Sequence, residues 1–429
     1  MGHKIGPGSQ EPISAREPCT SFWIGLFSIW PDTIAIDGWP KPAAGIRLSG
    51  RRLSNGSEPD DKDLTMPASG RLDVHPPPLH SELSVSNLSA VDDEVWAVGM
   101  RGAPAPAFIA HSTGGEPWQV GSYSSSSEAV HTQLAGVHAT ASGDVWAVGW
   151  EGLFHSNTEH THIAHGDGTT WQPVDSPDFG DGSHLSDVAA WGRDDAFAVG
   201  ARTSDSSVPS GPVNLPPAAA WDTLAVRWDG ARWTAVPGPG RGTLTEVCAV
   251  GPGAYWAVGT TALAERAGNI SLVAHYADGH WQQVSFEGVG PLSGVAATGP
   301  DDVWAVGQDQ DPSHASGALI LHYDGHAWAP TETPVVGHAS LGSVACTARD
   351  NVWAVGGQRR EDGAFGPLIL HFDGSAWAAV EPPGTAAPKN LSAVIALLDG
   401  TAWAAGLMSN AAGDTGYTIP PVMSTVEGH

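Results

Sequence analysis

One phrase, Val-Trp-Ala-Val-Gly, recurs along this chain at a nearly constant interval, and it limits the fold more than any other feature. It stands at Val95 to Gly99 and at Val145 to Gly149, and as Ala-Phe-Ala-Val-Gly at Ala196 to Gly200. It returns at Tyr255 to Gly259, Val303 to Gly307, Val352 to Gly356 and, with Ala at the fourth place, Ala402 to Gly406. The large aromatics fall at 96, 146, 197, 256, 304, 353 and 403, so successive gaps are 50, 51, 59, 48, 49 and 50. A period near fifty over seven copies predicts a repeat architecture in which each copy is one supersecondary unit.

Each copy contains four short β-type segments separated by turn residues. In the fifth copy, strand A begins at Leu292 and strand B is Val303 to Gly307. Strand C is Leu319 to Tyr323, and strand D carries Trp328. Asp-Gly between C and D predicts a hairpin, because such turns need positive φ. The D-G-x-x-W unit stands at Asp167 to Trp171, Asp229 to Trp233, Asp324 to Trp328 and Asp373 to Trp377, one residue shorter at Asp278 to Trp281. Seven sets of four antiparallel strands predict an all-β, seven-bladed β-propeller. The B aromatics and D tryptophans are expected between blades, where each contributes roughly 4–6 kcal/mol as an upper bound.

The repeat resembles the kelch repeat. A strand ends in Ala354-Val355-Gly356-Gly357, and the pairs Tyr276/Trp281, Tyr323/Trp328 and Phe372/Trp377 keep the kelch spacing of aromatic to Trp. The resemblance covers about residues 71–429 and implies a kelch-like or galactose-oxidase-like architecture, with no activity attached. The chain departs from kelch in that the double glycine is intact only at Gly356-Gly357.

The last copy stops after strand C, and a spare D-like strand lies at Arg71 to Pro77. Blade seven is therefore expected to take its fourth strand from the N-terminal side, removing an open edge. The domain is expected to span 71–429. Residues 1–70 are rich in Gly, Pro and Ser and read as a mostly disordered tail. Their apolar patch, Ser21 to Trp30, is too short to span a bilayer. It also makes a poor signal peptide, with Glu11 and Glu17 ahead of it. The compartment is expected to be cytoplasmic by default, or extracellular if the start codon is misassigned.

The net charge is −27. Residues 1–70 hold seven Lys/Arg and eight Asp/Glu, leaving 12 basic against 38 acidic residues in the repeats. That excludes nucleic-acid backbone binding and suits a neutral or cationic partner. Cys19, Cys248 and Cys346 lack metal spacing, and Cys248 and Cys346 fall in non-neighbouring blades, so no disulfide framework is expected.

A–B and C–D turns are short in every copy, whereas B–C and D–A stretches vary. In a four-stranded blade those variable loops emerge on one face, where binding residues tend to sit above a rigid scaffold. Three features stand out there. The blade-two stretch holds His155, Glu159, His160 and His162; His160 and His162 share a strand face, and with Glu159 form a weak candidate for a divalent ion. The blade-three insertion, Ala201 to Thr223, holds Arg202, Asp205 and Trp221; the Trp either stacks on a ligand or covers the top of its own blade. The blade-six stretch holds Arg359 and Arg360, a candidate anion site.

His111, His165, His275, His322 and His371 occupy one place in strand C, with Arg227 and Thr425 in the other two copies. Recurrence from blade to blade marks them as structural. No nucleophile elbow, P-loop or dinucleotide fingerprint is present. Sialidase-type Asp boxes are absent, and no Cys accompanies Tyr123 or Tyr417 for copper radical chemistry. The sequence thus points to a monomeric binding or scaffolding propeller for a protein or glycan, with no cofactor and no membrane span. A carbohydrate-active enzyme on the same face and a structural or surface-display protein are the alternatives.

Overall fold

The computed structural model describes residues 73–74, 83–101, 107–113, 116, 118–120, 122–123, 131–152, 158–167, 170–204, 221–262, 269–285, 290–310, 317–335, 337–380, 390–398, 402–407 and 423–425. The expectations for the N-terminal tail and for Cys19, His155 and Asp205 therefore concern positions outside the described residues. Every regular element among the described residues is a strand.

Six blades are built from consecutive strands, in the order A to D. Blade one uses Leu83–Val91, Glu94–Arg101, Phe108–Thr113 and Gln119–Val120. Blade two uses His131–Ala141, Asp144–Gly152, His160–Gly166 and Thr170–Val174. Blade three uses Ser183–Gly192, Asp195–Thr203, Trp221–Trp228 and Trp233–Val236. Blade four uses Thr243–Gly251, Ala254–Ala262, Asn269–Ala277 and His280–Ser285. Blade five uses Leu292–Gly299, Asp302–Asp309, Gly317–Tyr323 and Trp328–Pro330. Blade six uses Ala339–Ala348, Asn351–Arg359, Phe365–Phe372 and Trp377–Ala379.

The remaining sheet is assembled differently. Asn390–Ala396, Ala402–Leu407 and Met423–Thr425 are joined by Asp73–Val74 from the other end of the chain. Asp73 pairs with Ser424 and Val74 with Met423, antiparallel. The expected count of seven blades is corrected here: six blades are built from consecutive strands, and the remaining sheet takes its outer strand from the N-terminal side, the pairing that the sequence led us to expect. Blade two departs as well, because Ser122–Tyr123 adds a fifth strand, parallel to strand D. Each A strand packs against the A strands of both neighbours, and the closing sheet's A strand touches blade one's. The architecture is an all-β propeller of four-stranded antiparallel blades.

The repeated glycine has a steric cause. In blades two to six and the closing sheet, the A strand bulges one residue after a Leu, at Leu134, Leu185, Leu244, Leu292, Leu341 and Leu391. Opposite that Leu sits the Gly of the recurring phrase. A Cβ on Gly149, Gly200, Gly259 or Gly356 would lie 1.9 to 2.0 Å from an A-strand carbonyl oxygen. Only Gly lets the backbones approach this closely.

The aromatics pack as expected. The B-strand ring of one blade meets the D-strand indole of the next edge-on: Trp146 and Trp233 at 5.1 Å, Phe197 and Trp281 at 5.5 Å, Trp256 and Trp328 at 5.2 Å, Trp304 and Trp377 at 5.4 Å. Trp403 of the closing sheet meets Trp118 of blade one at 6.0 Å. These edge-to-face contacts suit the ring quadrupoles. The C–D hairpins differ in detail from the expectation. Among the described residues only Asp278-Gly279 has both residues at positive φ, 52° and 82°. In the longer turns only the Gly is left-handed, and the Asp carboxylate accepts from backbone amides, as Asp324 Oδ1 does from His326 and Ala327 at 2.9 Å each.

Side chains also bridge blades near the axis. Asp187 of blade three accepts from the Val247 amide of blade four at 3.0 Å and from Asn87 Nδ2 of blade one at 3.3 Å. It does so over Gly136 of blade two, where a Cβ would lie 2.5 Å from the Asp187 Cα. Glu246 of blade four accepts from the Val295 amide of blade five at 2.7 Å, and Ser343 of blade six from the Val394 amide at 3.3 Å. Burial pushes the Asp187 carboxyl up to about 7, and burial together with the neighbouring Asp187 charge pushes Glu246 well above the usual range.

Candidate functional site

The variable loops spring from the B–C and D–A ends, so that rim of the ring is the candidate surface. In blade six the B–C connection is an ordered hairpin. Arg359 pairs across it with Phe365, and the Arg360 amide donates to the Ala364 carbonyl at 2.8 Å. Arg359 Nε donates to the Gly363 carbonyl at 3.3 Å, and the Arg360 guanidinium lies over Gly366. Both arginines are exposed, and no ion pair to either exists among the described residues. Phe365 is 62% exposed. Sequence reading missed this Phe. Its signal was positional: Phe365 and Trp221 each stand three residues before the C-strand Leu, Leu368 and Leu224.

In blade three that equivalent place is closed. Trp221 is 9% exposed and meets His184 edge-on at 5.3 Å. Its carbonyl accepts from the Gly242 amide at 2.8 Å. Of the two readings, Trp221 takes the second: it covers the top of its own blade, and the ligand-stacking reading is corrected. Burial pushes the His184 imidazole down to about 4. Arg202 pairs with Asp222 at 3.8 Å, and Asp222 is shared with Arg241 at 4.0 Å, so this cation is already matched.

In blade two the three candidate ligands separate. His160 Nε2 lies 3.2 Å from Asp181 and is half exposed. His162 points inward, with Nδ1 3.1 Å from Glu151 Oε2. Burial raises the Glu159 carboxyl and pushes His162 down to about 4. His160, His162 and Glu159 do not converge, and no group of three or more His, Cys, Asp or Glu that could hold a metal occurs among the described residues. His160 and His162 alternate on one strand, but one is drawn to the rim and the other into the blade.

The recurring histidines form a separate set. Each packs against the face of the B-strand Trp opposite it: His111 on Trp96 at 4.5 Å, His275 on Trp256 at 4.4 Å and His322 on Trp304 at 4.0 Å are stacked, and His165 on Trp146 and His371 on Trp353, both at 4.2 Å, are tilted. Three reach the residue two before that Trp: His165 to Asp144 at 2.6 Å, His322 to Asp302 at 2.7 Å and His371 to Asn351 at 3.0 Å. Arg227 takes the place in blade three, with Asp195 at 3.3 Å. Register puts Ser424, not Thr425, opposite Trp403 in the closing sheet. Cys248 and Cys346 are free thiols; burial pushes Cys346 up to about 12 and Cys248 well above the usual range. No helix among the described residues is long and apolar enough to cross a membrane.

These features define a β-propeller repeat protein with a rigid ring and one variable rim. No family model matches the chain, and no curated protein matches it, so the kelch resemblance stands as one of spacing. Solved structures do match. The chain is similar to YCF48 bound to D1 peptide, at 13% identity over 84% of this chain and 96% of that one, with a TM-score of 0.51. It is also similar to YCF48 from Cyanidioschyzon merolae, at 14% identity over 83% and 98%, with a TM-score of 0.49. A GH74 xyloglucanase from Xanthomonas campestris matches at 14% identity over 82% of this chain and 55% of that one, with a TM-score of 0.48. At such identities the first of these supports the propeller fold alone.

Proposed function

We propose that this chain is a binding propeller that docks a protein segment on its B–C/D–A rim. The domain runs from about residue 71 to 429, its six blades and closing sheet forming a kelch-like ring. The observation that carries the reading is the blade-six hairpin. It presents an exposed Phe365 beside Arg359 and Arg360, which lack carboxylate partners among the described residues. An apolar anchor flanked by unmatched cations suits a peptide with an apolar side chain next to acidic ones. The similarity to a propeller described as bound to a peptide fits this reading.

Selection of phage-displayed peptides on the full chain tests it. Enriched peptides should carry Asp or Glu beside an apolar residue. Phe365→Ala with Arg359→Ala should weaken their binding at least tenfold, while Asp324→Ala in a C–D turn should leave it unchanged. No enrichment, or loss only in the turn variant, overturns the reading.

A further inference from the structure

The face made by the A–B and C–D turns is strongly acidic. Among the described residues these turns present ten exposed aspartates. Against them the same turns carry three arginines, Arg193, Arg232 and Arg349. Two of these are engaged, Arg349 with Asp301 at 2.7 Å and Arg193 with Asp144 at 3.7 Å.

The crowding of carboxylates is built into the blades. In blade six a Cβ on Gly374 of the C–D turn would lie 2.9 Å from the Cβ of Asp350 in the A–B turn, which sets Asp350 beside the turn of Asp373. Blades three and five repeat the arrangement, with Gly230 against Asp194 at 3.0 Å and Gly325 against Asp301 at 2.8 Å. The C–D members are held in the charged form. The Arg232 and Ala231 amides lower Asp229, the Ala327 and His326 amides lower Asp324, and the Ser375 hydroxyl with the turn amides brings Asp373 down to about 2. Like charges gathered in this way repel one another and favour a cationic cover.

The chain enters the ring on this same face. Strand C runs from the rim to the turns, and Asp73–Val74 pairs antiparallel with it, so Asp73 lies at the turn end and the residues before it leave from there. Blades one and six flank the closing sheet and offer Asp92 and Asp93 on one side, Asp350 and Asp373 on the other. Between them Leu398, in the A–B turn of the closing sheet, is 86% exposed. Upstream, residues 38–57 contain no Asp or Glu but hold Lys41, Arg47, Arg51 and Arg52, four of the seven Lys/Arg of residues 1–70. Ile46 and Leu48 flank Arg47. Residues 53–72 can reach about 70 Å at full extension.

We propose that residues 39–53, which lie outside the described residues, dock on the acidic turn face around the closing sheet of their own chain. Their cations meet the aspartates of blades one and six, and their apolar side chains meet Leu398. Tethering at Asp73 gives the segment an effective concentration on the order of millimolar, an advantage over any free cationic partner. Surface ion pairs contribute little to stability, so the contact is read by proximity and not by melting temperature. It uses the face opposite the variable rim and does not depend on the peptide reading.

Carbodiimide coupling of the full chain, mapped by mass spectrometry, tests it, because the reagent joins an amine only to a carboxylate in contact with it. At low salt Lys41 should couple to Asp92, Asp93, Asp350 or Asp373. The yield should fall about fivefold in about 1 M salt, where the screening length is ~3 Å, and fall likewise when Arg47, Arg51 and Arg52 are all replaced by Gln. Trypsin should cut after Arg51 and Arg52 about fivefold faster in Asp350→Asn with Asp373→Asn than in the parent. Asn keeps the turn acceptor, so the melting temperature of that variant should not change. The proposal is overturned if Lys41 couples to no turn-face aspartate, or if the yield ignores both salt and the Arg replacements. Mixing light and isotope-labelled chains distinguishes a second copy: couplings that join two chains would overturn docking within one.

Discussion

The imidazole of His322 rests on the indole of Trp304 at 4.0 Å and puts its Nε2 2.7 Å from Oδ1 of Asp302. The Asp302 side chain is 3% exposed, and Thr298 bonds its other oxygen. Removing the imidazole leaves a buried carboxylate short of a partner. His322→Ala should therefore destabilise the fold by about 1–3 kcal/mol, read from urea unfolding. Peptide affinity measured on the folded protein should not change. Lost binding with unchanged stability would turn this ring of histidines into a functional one.

Gly356 faces the Ser340 carbonyl so closely that a Cβ would lie 2.0 Å from its oxygen. Backbone cannot yield as a flexible side chain does. Gly356→Ala should cost about 3 kcal/mol or more, whereas Gly363→Ser, at a left-handed turn position with open space around it, should cost about 1 kcal/mol. Comparable unfolding midpoints for the two would refute the close-approach explanation.

Trp221→Ala should act on stability, by about 3–5 kcal/mol, because the indole is buried and packed against His184. Peptide binding by the folded fraction should persist. Chemical denaturation alongside a binding titration separates the two.

Asp187 titrates near pH 7 when folded but near 4 when unfolded. The folded state therefore holds the proton more tightly. The associated stability is full below about pH 4 and declines as pH rises, until it is lost once pH has passed through about 7. Glu246 shifts in the same direction. The melting temperature of Asp187→Asn relative to the parent should accordingly rise between pH 5 and 8. A difference that stays flat, or falls, over that range would contradict the shared burial of the two carboxyls.

Asp73–Val74 is the outer strand of the closing sheet. Deleting residues 1–70 should leave the melting temperature nearly unchanged, while deleting 1–80 should lower it, each lost backbone bond being worth ~1 kcal/mol net. Equal melting of both truncations would deny the strand any role in closure.

Much of the ring was legible because repetition averages out local ambiguity. Trp96, Trp146 and Trp304 announce strand B, and Asp324-Gly325 announces the C–D hairpin, each several times over. The closing pairing was legible because Arg71 to Pro77 echoes a D strand. What escaped were single departures from the repeat. His162 read as a loop ligand beside His160, although alignment of the C strands would have set it among Phe108, Leu224 and Leu272. Asp187 and Glu246 drew no notice, since nothing local says that a residue after a bulge points across a neighbouring blade. Trp221 and Phe365 share a register position and differ in exposure, which depends on a partner, His184, that only the fold brings near.

The pairing of Asp73 with Ser424 has a consequence for how such a chain can be rearranged. The two ends of the ring run side by side in one sheet, so a short linker can join them without crossing any blade. The covalent break can then be moved to another rim loop, such as the stretch between Ser204 and Trp221. The order of blades around the axis is thus independent of where synthesis starts, and a gene carrying the same repeats in rotated order encodes the same ring.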